Sequence, residues 1–194
     1  MQVKHWRTIF YQILSVLAII HAKYPSFRHN DMKANNILIH KIDITKDYHR
    51  YIVVRNKYKV PNIGYQIKLW DFDFACIPGI VDNIKVQAKW TKKINVTPEQ
   101  NRYYDVHYFF CTLIYKGFLP ELMTESIIPN EVKEFIDDEI NGDKYTSPIT
   151  IKQIEYELDF QPIDEEDGIE FFNETKISNL VPYIGYMNNK EQKY

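Results

Sequence analysis

The sequence is poor in cysteine and glycine, two residues that mark several common kinds of functional site. Its 194 residues include two cysteines, Cys76 and Cys111, and six glycines. Two cysteines provide neither a disulfide framework nor a zinc-ligand set, so we expect both thiols to pack in a core within a reducing compartment. The glycines nowhere follow the pattern G-x-G-x-x-G, which excludes a phosphate-binding loop of that type.

Long apolar segments are also absent. No apolar run approaches the ~20 residues of a membrane span. The most apolar window, residues 9–20, is interrupted by Gln12 and Ser15, and no small-residue cleavage site follows it. With 45% hydrophobic residues, the chain can still bury one sizeable core. We therefore expect a soluble domain that has no membrane segment and no signal peptide.

Charge is divided unevenly along the chain, although the net charge is only −2. Residues 1–120 contain 18 Lys and Arg against 8 Asp and Glu, and residues 121–194 contain 6 against 18, giving +10 and −12. The basic part would attract ATP and acidic substrates, or the two parts would attract each other. No basic-aromatic motif of a nucleic-acid binder accompanies the positive charge, so we expect no nucleic-acid partner.

Residues 29–36 carry the groups that phosphoryl transfer requires. They read His-Asn-Asp-Met-Lys-Ala-Asn-Asn. The reaction needs a carboxylate beside the attacking hydroxyl, a cation near the γ-phosphate and oxygen ligands for Mg²⁺. Asp31 is the candidate base, Lys33 can balance phosphate charge, and Asn36 can offer an amide oxygen to the metal.

Residues 67–73, Ile-Lys-Leu-Trp-Asp-Phe-Asp, provide a second metal ligand. The alternation of Ile67 and Leu69 predicts a short strand that ends just before Asp71. The Asp71 carboxylate would then project from the loop that follows. ATP and Mg²⁺ are the cofactors that this pair of motifs predicts, with Lys33, Asn36 and Asp71 at the nucleotide.

The two motifs resemble the H-R-D-L-x-x-x-N and D-F-G elements of protein kinases. The helical period of apolar residues over 6–22 and the run Tyr-Asp-Val-His-Tyr-Phe-Phe at 104–110 resemble helices before and after those elements. The resemblance implies a protein-kinase-like C-lobe, mainly α with a small β component, over residues 1–160. We expect an inserted hairpin or extended loop at about 41–65, and an acidic C-terminal extension at 161–194.

The resemblance also implies structural roles for three residues. In kinases the aspartate corresponding to Asp105 anchors the backbone of the catalytic loop. His29 would support the metal-binding loop from beneath, and Phe72 would be a hydrophobic spine residue. Later in the chain, apolar spacing predicts an amphipathic helix over 131–140 and a second one from Thr150 towards Leu158.

Three departures from the kinase pattern bear on regulation. Asn30 replaces the arginine that in many kinases pairs with a phosphate on the activation loop, and Asp73 replaces the glycine of D-F-G. We therefore expect no control by activation-loop phosphorylation, and a metal-binding loop held in one conformation. Thr-Pro-Glu at 97–99 has the letters of an A-P-E element but ends six residues before Asp105, closer than in the family.

No upper lobe is visible in the sequence. Kinases enclose the nucleotide between a small N-terminal lobe, with a Gly-rich loop and a strand lysine, and the larger lobe described above. Here Met1 lies five residues before the predicted first helix. We expect this chain to form half of an ATP site, with the N-lobe absent. Either another polypeptide or an upstream reading frame supplies that lobe, or the chain is a remnant that binds nucleotide poorly.

Three functions fit these features. The first is a Ser/Thr protein kinase that transfers the ATP γ-phosphate to a protein hydroxyl, which Lys33 favours. The second is a small-molecule kinase of the aminoglycoside or choline kinase type, and the third is a non-catalytic pseudokinase fragment that binds a partner. The composition is biased towards amino acids with AT-rich codons, among them 15 Tyr. Together with His-Asn-Asp and Tyr-Asp-Val-His-Tyr-Phe, this bias makes the chain similar to divergent Ser/Thr kinases of large DNA viruses, including the poxvirus late-kinase group. That resemblance implies the host cytoplasm or the virion.

Overall fold

The computed structural model describes residues 1–53, 55–99, 101–114, 120–141 and Ile184. These residues form a mixed architecture of helices and short antiparallel strands. The order is α1 (Val3–Lys23), a 3₁₀ turn (Ala34–Asn36), β1 (Ile37–Lys41), β2 (Tyr48–Val53), β3 (Asn56–Pro61), β4 (Tyr65–Leu69), α2 (Ile84–Gln87), α3 (Lys89–Lys92), α4 (Tyr104–Thr112), a second 3₁₀ turn (Pro120–Met123) and α5 (Asn130–Asn141). The predicted helix from Thr150 and the extension at 161–194 lie outside the described residues, apart from Ile184.

Helix α1 is the central element of the core. The sequence predicts it over 6–22, and the structure extends it by a turn at its start and by one residue at its end. Phe10, Ile13, Leu14 and Leu17 recur at helical spacing and are all buried, so they form an apolar stripe on the side of the helix that faces the core. The helix ends at Lys23, whose positive charge interacts favourably with the negative end of the helix dipole and so stabilises the helix.

An aromatic cluster joins α1 to the two later helices. The ring of Phe10 lies 5.2 Å from that of Phe110 in α4 and 5.4 Å from that of Phe135 in α5. Phe110 is fully buried and also contacts Phe135, with the two rings 5.6 Å apart. Edge and stacked arrangements of this kind stabilise a core beyond the area that they bury. The cluster fixes the position of α4 relative to α1.

The strands form two separate antiparallel pairs. β1 pairs with β4, from Ile37 opposite Leu69 to Lys41 opposite Tyr65. β2 and β3 form a hairpin within the stretch 41–65. The sequence predicted either a hairpin or an extended loop for this stretch. The predicted strand before Asp71 is confirmed as β4, whereas its partner β1 was not predicted. The register places the first motif's end beside the start of the second.

Both small sheets pack on α1. The fully buried ring of Tyr11 makes edge contacts with Tyr51 in β2 and Tyr58 in β3, at 5.6 and 5.7 Å between ring centroids. On the other sheet, Gln12 Oε1 accepts a hydrogen bond from the Ile67 N–H at 2.9 Å, and its Nε2 donates to the Tyr65 carbonyl. A polar residue that interrupts the apolar face of α1 thus holds β4 in place.

Two expectations about composition can be compared with the described residues. Cys76 and Cys111 are both buried and free, which confirms that they pack in the interior. Across the described ranges, no helix combines the length and the hydrophobicity needed to cross a bilayer.

Candidate active site

Asp105 holds the backbone of the loop that carries the first motif. It lies in the first turn of α4 and has no exposed surface. Its Oδ2 accepts a hydrogen bond from the His29 N–H at 2.7 Å, and its Oδ1 accepts one from the Asn30 N–H at 2.9 Å. Asn30 has a left-handed φ of 65°, a conformation that asparagine tolerates better than most residues. The carboxylate therefore fixes the backbone immediately before Asp31.

The Asp31 carboxylate is held on one of its two oxygens. Lys33 Nζ lies 2.8 Å from Asp31 Oδ2, and Asn36 Nδ2 donates to the same oxygen at 2.9 Å. Asn36 Nδ2 also donates to the Asp31 carbonyl at 2.7 Å, because the 3₁₀ turn at Ala34–Asn36 brings it back towards Asp31. Among the described residues, no hydrogen bond reaches Asp31 Oδ1. That oxygen is available to a hydroxyl group, and the side chain is 15% exposed.

Asp71 lies two residues after the end of β4, the strand that pairs with β1. The Trp70 N–H donates to the Asn36 carbonyl at 2.9 Å, extending the β1–β4 pairing to the residue before Asp71. Asp71 has a left-handed φ of 58°, which turns the chain sharply at this point. The structure therefore brings Asn36 and Asp71 close together in the fold, although 34 residues of sequence separate them.

The donors at Asn36 and Asp71 have the chemistry that Mg²⁺ prefers. The amide NH₂ of Asn36 is bound to Asp31, so its amide oxygen is the atom left for a ligand. Carboxylate and amide oxygens are hard donors, and Mg²⁺ commonly takes one or two protein ligands together with substrate phosphates. Within the described ranges, no three His, Cys, Asp or Glu side chains form a metal cluster.

His29 links the catalytic loop to the metal-binding loop. It is fully buried, its Nε2 lies 3.1 Å from the Trp70 carbonyl, and its ring centroid lies 4.8 Å from that of Phe72. Burial lowers the pKa of His29, and the nearby Asp105 charge opposes this only in part. Because a carbonyl oxygen can only accept, the Nε2–H of His29 is the donor in this hydrogen bond. His29 therefore contacts both the backbone before Asp71 and the ring of Phe72 after it.

Asn30 contacts the segment that follows the metal-binding loop. Its Nδ2 donates to the Phe74 carbonyl at 3.1 Å and lies 3.6 Å from Cys76 Sγ. The backbones of Arg28 and Cys76 also exchange two hydrogen bonds of 2.9 Å. Asn30, which stands where many kinases have a positively charged arginine, therefore forms a hydrogen bond to the backbone of this segment and carries no positive charge.

Asp73 is paired with a lysine that the sequence analysis did not identify. Lys85 Nζ, in α2, lies 2.7 and 2.9 Å from the two carboxylate oxygens of Asp73. Asn83, also buried, donates to the carbonyls of Asp73 and Ala75 at 2.9 and 3.1 Å. These contacts hold the chain after Asp71 against α2. No local pattern signals them, because the cation lies 12 residues from its partner.

The Thr-Pro-Glu sequence at 97–99 is held through its backbone. The Glu99 side chain is exposed, while its carbonyl accepts a hydrogen bond from Arg28 Nη1. Arg28 is buried and lies 3.7 Å above the centre of the Tyr104 ring. Arg28 is a second residue that sequence reasoning missed, since the two residues that its side chain contacts here, Glu99 and Tyr104, lie more than 70 residues away in the chain.

Comparison with known protein families decides the affiliation of this site. The sequence profile of the family described as Poxvirus serine/threonine protein kinase matches residues 1–159. The chain belongs to that family. The matched range includes both motifs, Asp105 and every element described above.

Individual relatives agree with this family. A candidate serine/threonine-protein kinase of Acanthamoeba polyphaga mimivirus is 50% identical over 140 residues, which cover 70% of this chain and 30% of the relative. Serine/threonine-protein kinase 2 of Monkeypox virus is 33% identical over 155 residues, 77% of this chain and 32% of the relative. The chain spans about a third of the length of the curated relatives that it matches. No solved structure gives a significant match.

Replacing Asp105 tests the anchor of the catalytic loop. In Asp105→Asn, the amide NH₂ would face one of the two backbone N–H groups, so a buried donor would lose its acceptor. We expect the free energy of unfolding to fall by about 1–3 kcal/mol, measured by urea denaturation. Asp138→Asn, at an exposed position of α5, is the control. Equal midpoints for the two variants would contradict the anchoring role.

The Asp73–Lys85 pair can be tested with a double-mutant cycle. Both side chains are about a quarter exposed, at 27% and 24%, so water screens their attraction. We expect a coupling free energy of about 0.2–1 kcal/mol between Asp73→Asn and Lys85→Met, measured from urea unfolding of the four proteins. Strictly additive effects would show that the two side chains are not paired in solution.

Proposed function

We propose that this chain is the catalytic C-terminal lobe of a Ser/Thr protein kinase, which transfers the γ-phosphate of ATP to a protein hydroxyl. One observation carries the proposal: the Asp31 carboxylate has one oxygen bound by Lys33 and Asn36 and the other open, on a loop anchored by Asp105. Membership of a family of serine/threonine protein kinases supports a protein acceptor.

In this proposal Asp31 acts on the attacking hydroxyl. Its open oxygen accepts the hydroxyl proton while the hydroxyl oxygen bonds to the γ-phosphorus and the bond to the β-phosphate oxygen breaks. The two hydrogen bonds on Oδ2 fix the plane of the carboxylate, so little ordering remains to be done when the substrate arrives. Positioning of this kind contributes much of the rate enhancement in phosphoryl transfer.

Lys33 supplies the positive charge beside this carboxylate. Its ammonium group is 27% exposed and lies 2.8 Å from Asp31. From there it balances the carboxylate and can also attract the transferring phosphate, whose charge is spread over its outer oxygens. A lysine two residues after the aspartate favours a protein kinase over a small-molecule kinase of the aminoglycoside or choline kinase type.

Asn36 and Asp71 would hold Mg²⁺ together with ATP. When bound there, Mg²⁺ would supply positive charge that neutralises the charge of the phosphates. The lobe would comprise residues 1–160, with an insertion at about 41–65 that contains the β2–β3 hairpin, followed by the acidic extension at 161–194. A nucleotide-covering N-lobe would come from other residues of the polypeptide or from a partner chain, in the host cytoplasm or the virion.

A non-catalytic pseudokinase would not need this arrangement. A partner-binding fragment places no demand on Asp31, Lys33, Asn36 and Asp71 together. Here the first three share hydrogen bonds, and the backbone of Asn36 is bonded to the residue before Asp71. The combination of these four groups at one place supports catalysis over a scaffold.

Substitution of Asp31 tests the proposed reaction directly. Asp31→Asn preserves shape but removes the basic oxygen, so we expect phosphate transfer to fall by about 10²- to 10⁴-fold while the unfolding midpoint changes little. Phosphate transfer is measured from radiolabelled ATP to dephosphorylated casein as the acceptor. The enzyme is the intact polypeptide that contains these residues. Asp138→Asn is the matched control. Undiminished transfer in Asp31→Asn would refute the assignment of the base.

A further inference from the structure

A basic and aromatic surface lies on and beside α3, and none of the catalytic roles above uses it. It consists of Lys89, Trp90, Lys92, Lys93 and Ile94, which we call the lysine–tryptophan surface. Trp90 is 54% exposed and Ile94 57%, and the three lysines are exposed as well. Lysines three and four residues apart project from the same side of a helix, so their charges are concentrated around the tryptophan.

Within the described residues, no ion pair neutralises the positive charge of this surface. Residues 83–98 contain four lysines and no Asp or Glu. Lys85 is paired with Asp73, whereas Lys89, Lys92 and Lys93 form no ion pair within the described part of the chain. Three unpaired cations around an exposed aromatic ring attract an anionic partner.

The surface is connected to the catalytic carboxylate by two short contacts. The Trp90 ring packs edge-on against the Phe74 ring, with centroids 6.1 Å apart. The Phe74 carbonyl accepts the hydrogen bond from Asn30, and Asn30 directly precedes Asp31. A chain whose hydroxyl reaches Asp31 would therefore have neighbouring residues near the lysine–tryptophan surface.

The surface is also held rigidly. Thr91 lies in the middle of α3, is fully buried, and places its Oγ1 2.8 Å from the Lys85 carbonyl and 2.7 Å from the Ala88 carbonyl. Val86 and Val96, on either side, pack with Cys76 in a small buried cluster. Because the backbone is already ordered, a ligand would pay little conformational entropy to bind.

We propose that the lysine–tryptophan surface binds acidic residues that flank the phosphorylated serine or threonine of protein substrates. This inference rests on the proposed function and names its substrate class. The lysines pair with Asp and Glu side chains, and Trp90 covers the apolar part of the bound peptide. A nucleic acid is the less suitable anion, because three lysines neutralise only about three phosphates, which gives weak binding at physiological salt.

The test is direct binding of two labelled peptides, measured by fluorescence anisotropy in about 50 mM salt, where screening is weak. One peptide has a single serine flanked on both sides by Asp and Glu, and the other has Asn and Gln at those positions. We expect the acidic peptide to bind more tightly. In the triple variant Lys89→Gln, Lys92→Gln, Lys93→Gln, its affinity should fall by about tenfold.

A matched triple variant controls for the change in net charge. Lys4→Gln, Lys41→Gln and Lys46→Gln alter three exposed lysines elsewhere and should leave the affinity unchanged. Equal affinities for the two peptides, or equal losses in the two triple variants, would overturn the inference. So would tighter binding of a labelled single-stranded oligonucleotide that is lost in the first triple variant, since the surface would then serve nucleic acid.

Phosphate transfer to the same two peptides separates this inference from the proposed function. Transfer to both peptides at equal rates would overturn the substrate preference and leave the kinase assignment intact. Selective binding of the acidic peptide without transfer to either one would count against the kinase assignment while supporting the surface. Selective transfer that becomes unselective in the first triple variant would support both.

Discussion

The two hydrogen bonds from the Asp105 carboxylate to the backbone N–H groups of His29 and Asn30 determine where the catalytic loop lies. The bonded residues lie 76 and 75 positions apart in the chain, so the position of α4 determines the position of the loop. α4 is in turn fixed by the aromatic cluster that Phe110 forms with α1 and α5. The loop that carries Asp31 thus takes its position from the helical core, and its backbone is anchored immediately before Asp31.

The metal-binding loop depends on a second, separate set of contacts. Gln12 holds β4 to α1, the β1–β4 pairing brings the end of one motif beside the other, and His29 bonds to the Trp70 carbonyl. Beyond Asp71, the Asp73–Lys85 pair and Asn83 hold the following segment to α2. That segment also carries the lysine–tryptophan surface. The proposed base and the proposed metal ligands are therefore positioned by α1 and the elements packed on it, whereas the proposed substrate surface is held through α2 and its contacts with Asp73.

Features that depend on local spacing could be predicted from the sequence. The apolar period of α1 and α5, the strand before Asp71 and the helix that begins near Asp105 all agree with the structure. Contacts between distant residues could not be predicted in this way. β1 as the partner of β4 was missed because its residues are largely exposed and give no alternating pattern. Lys85, Asn83 and Arg28 were missed because a side chain's partner 8 or more residues away leaves no periodic signal.

The central claim is that Asn36 and Asp71 form a working metal and nucleotide site on this lobe. Calorimetric titration of Mg·ATP into the 194-residue chain tests it most directly, with Asp71→Asn compared with Asp73→Asn. Both changes replace a carboxylate by an amide in the same loop, but only Asp71 is assigned to the metal. We predict that affinity falls by about tenfold or more in Asp71→Asn and is largely retained in Asp73→Asn. Wild-type affinity in Asp71→Asn, or equal losses in both variants, would contradict the account.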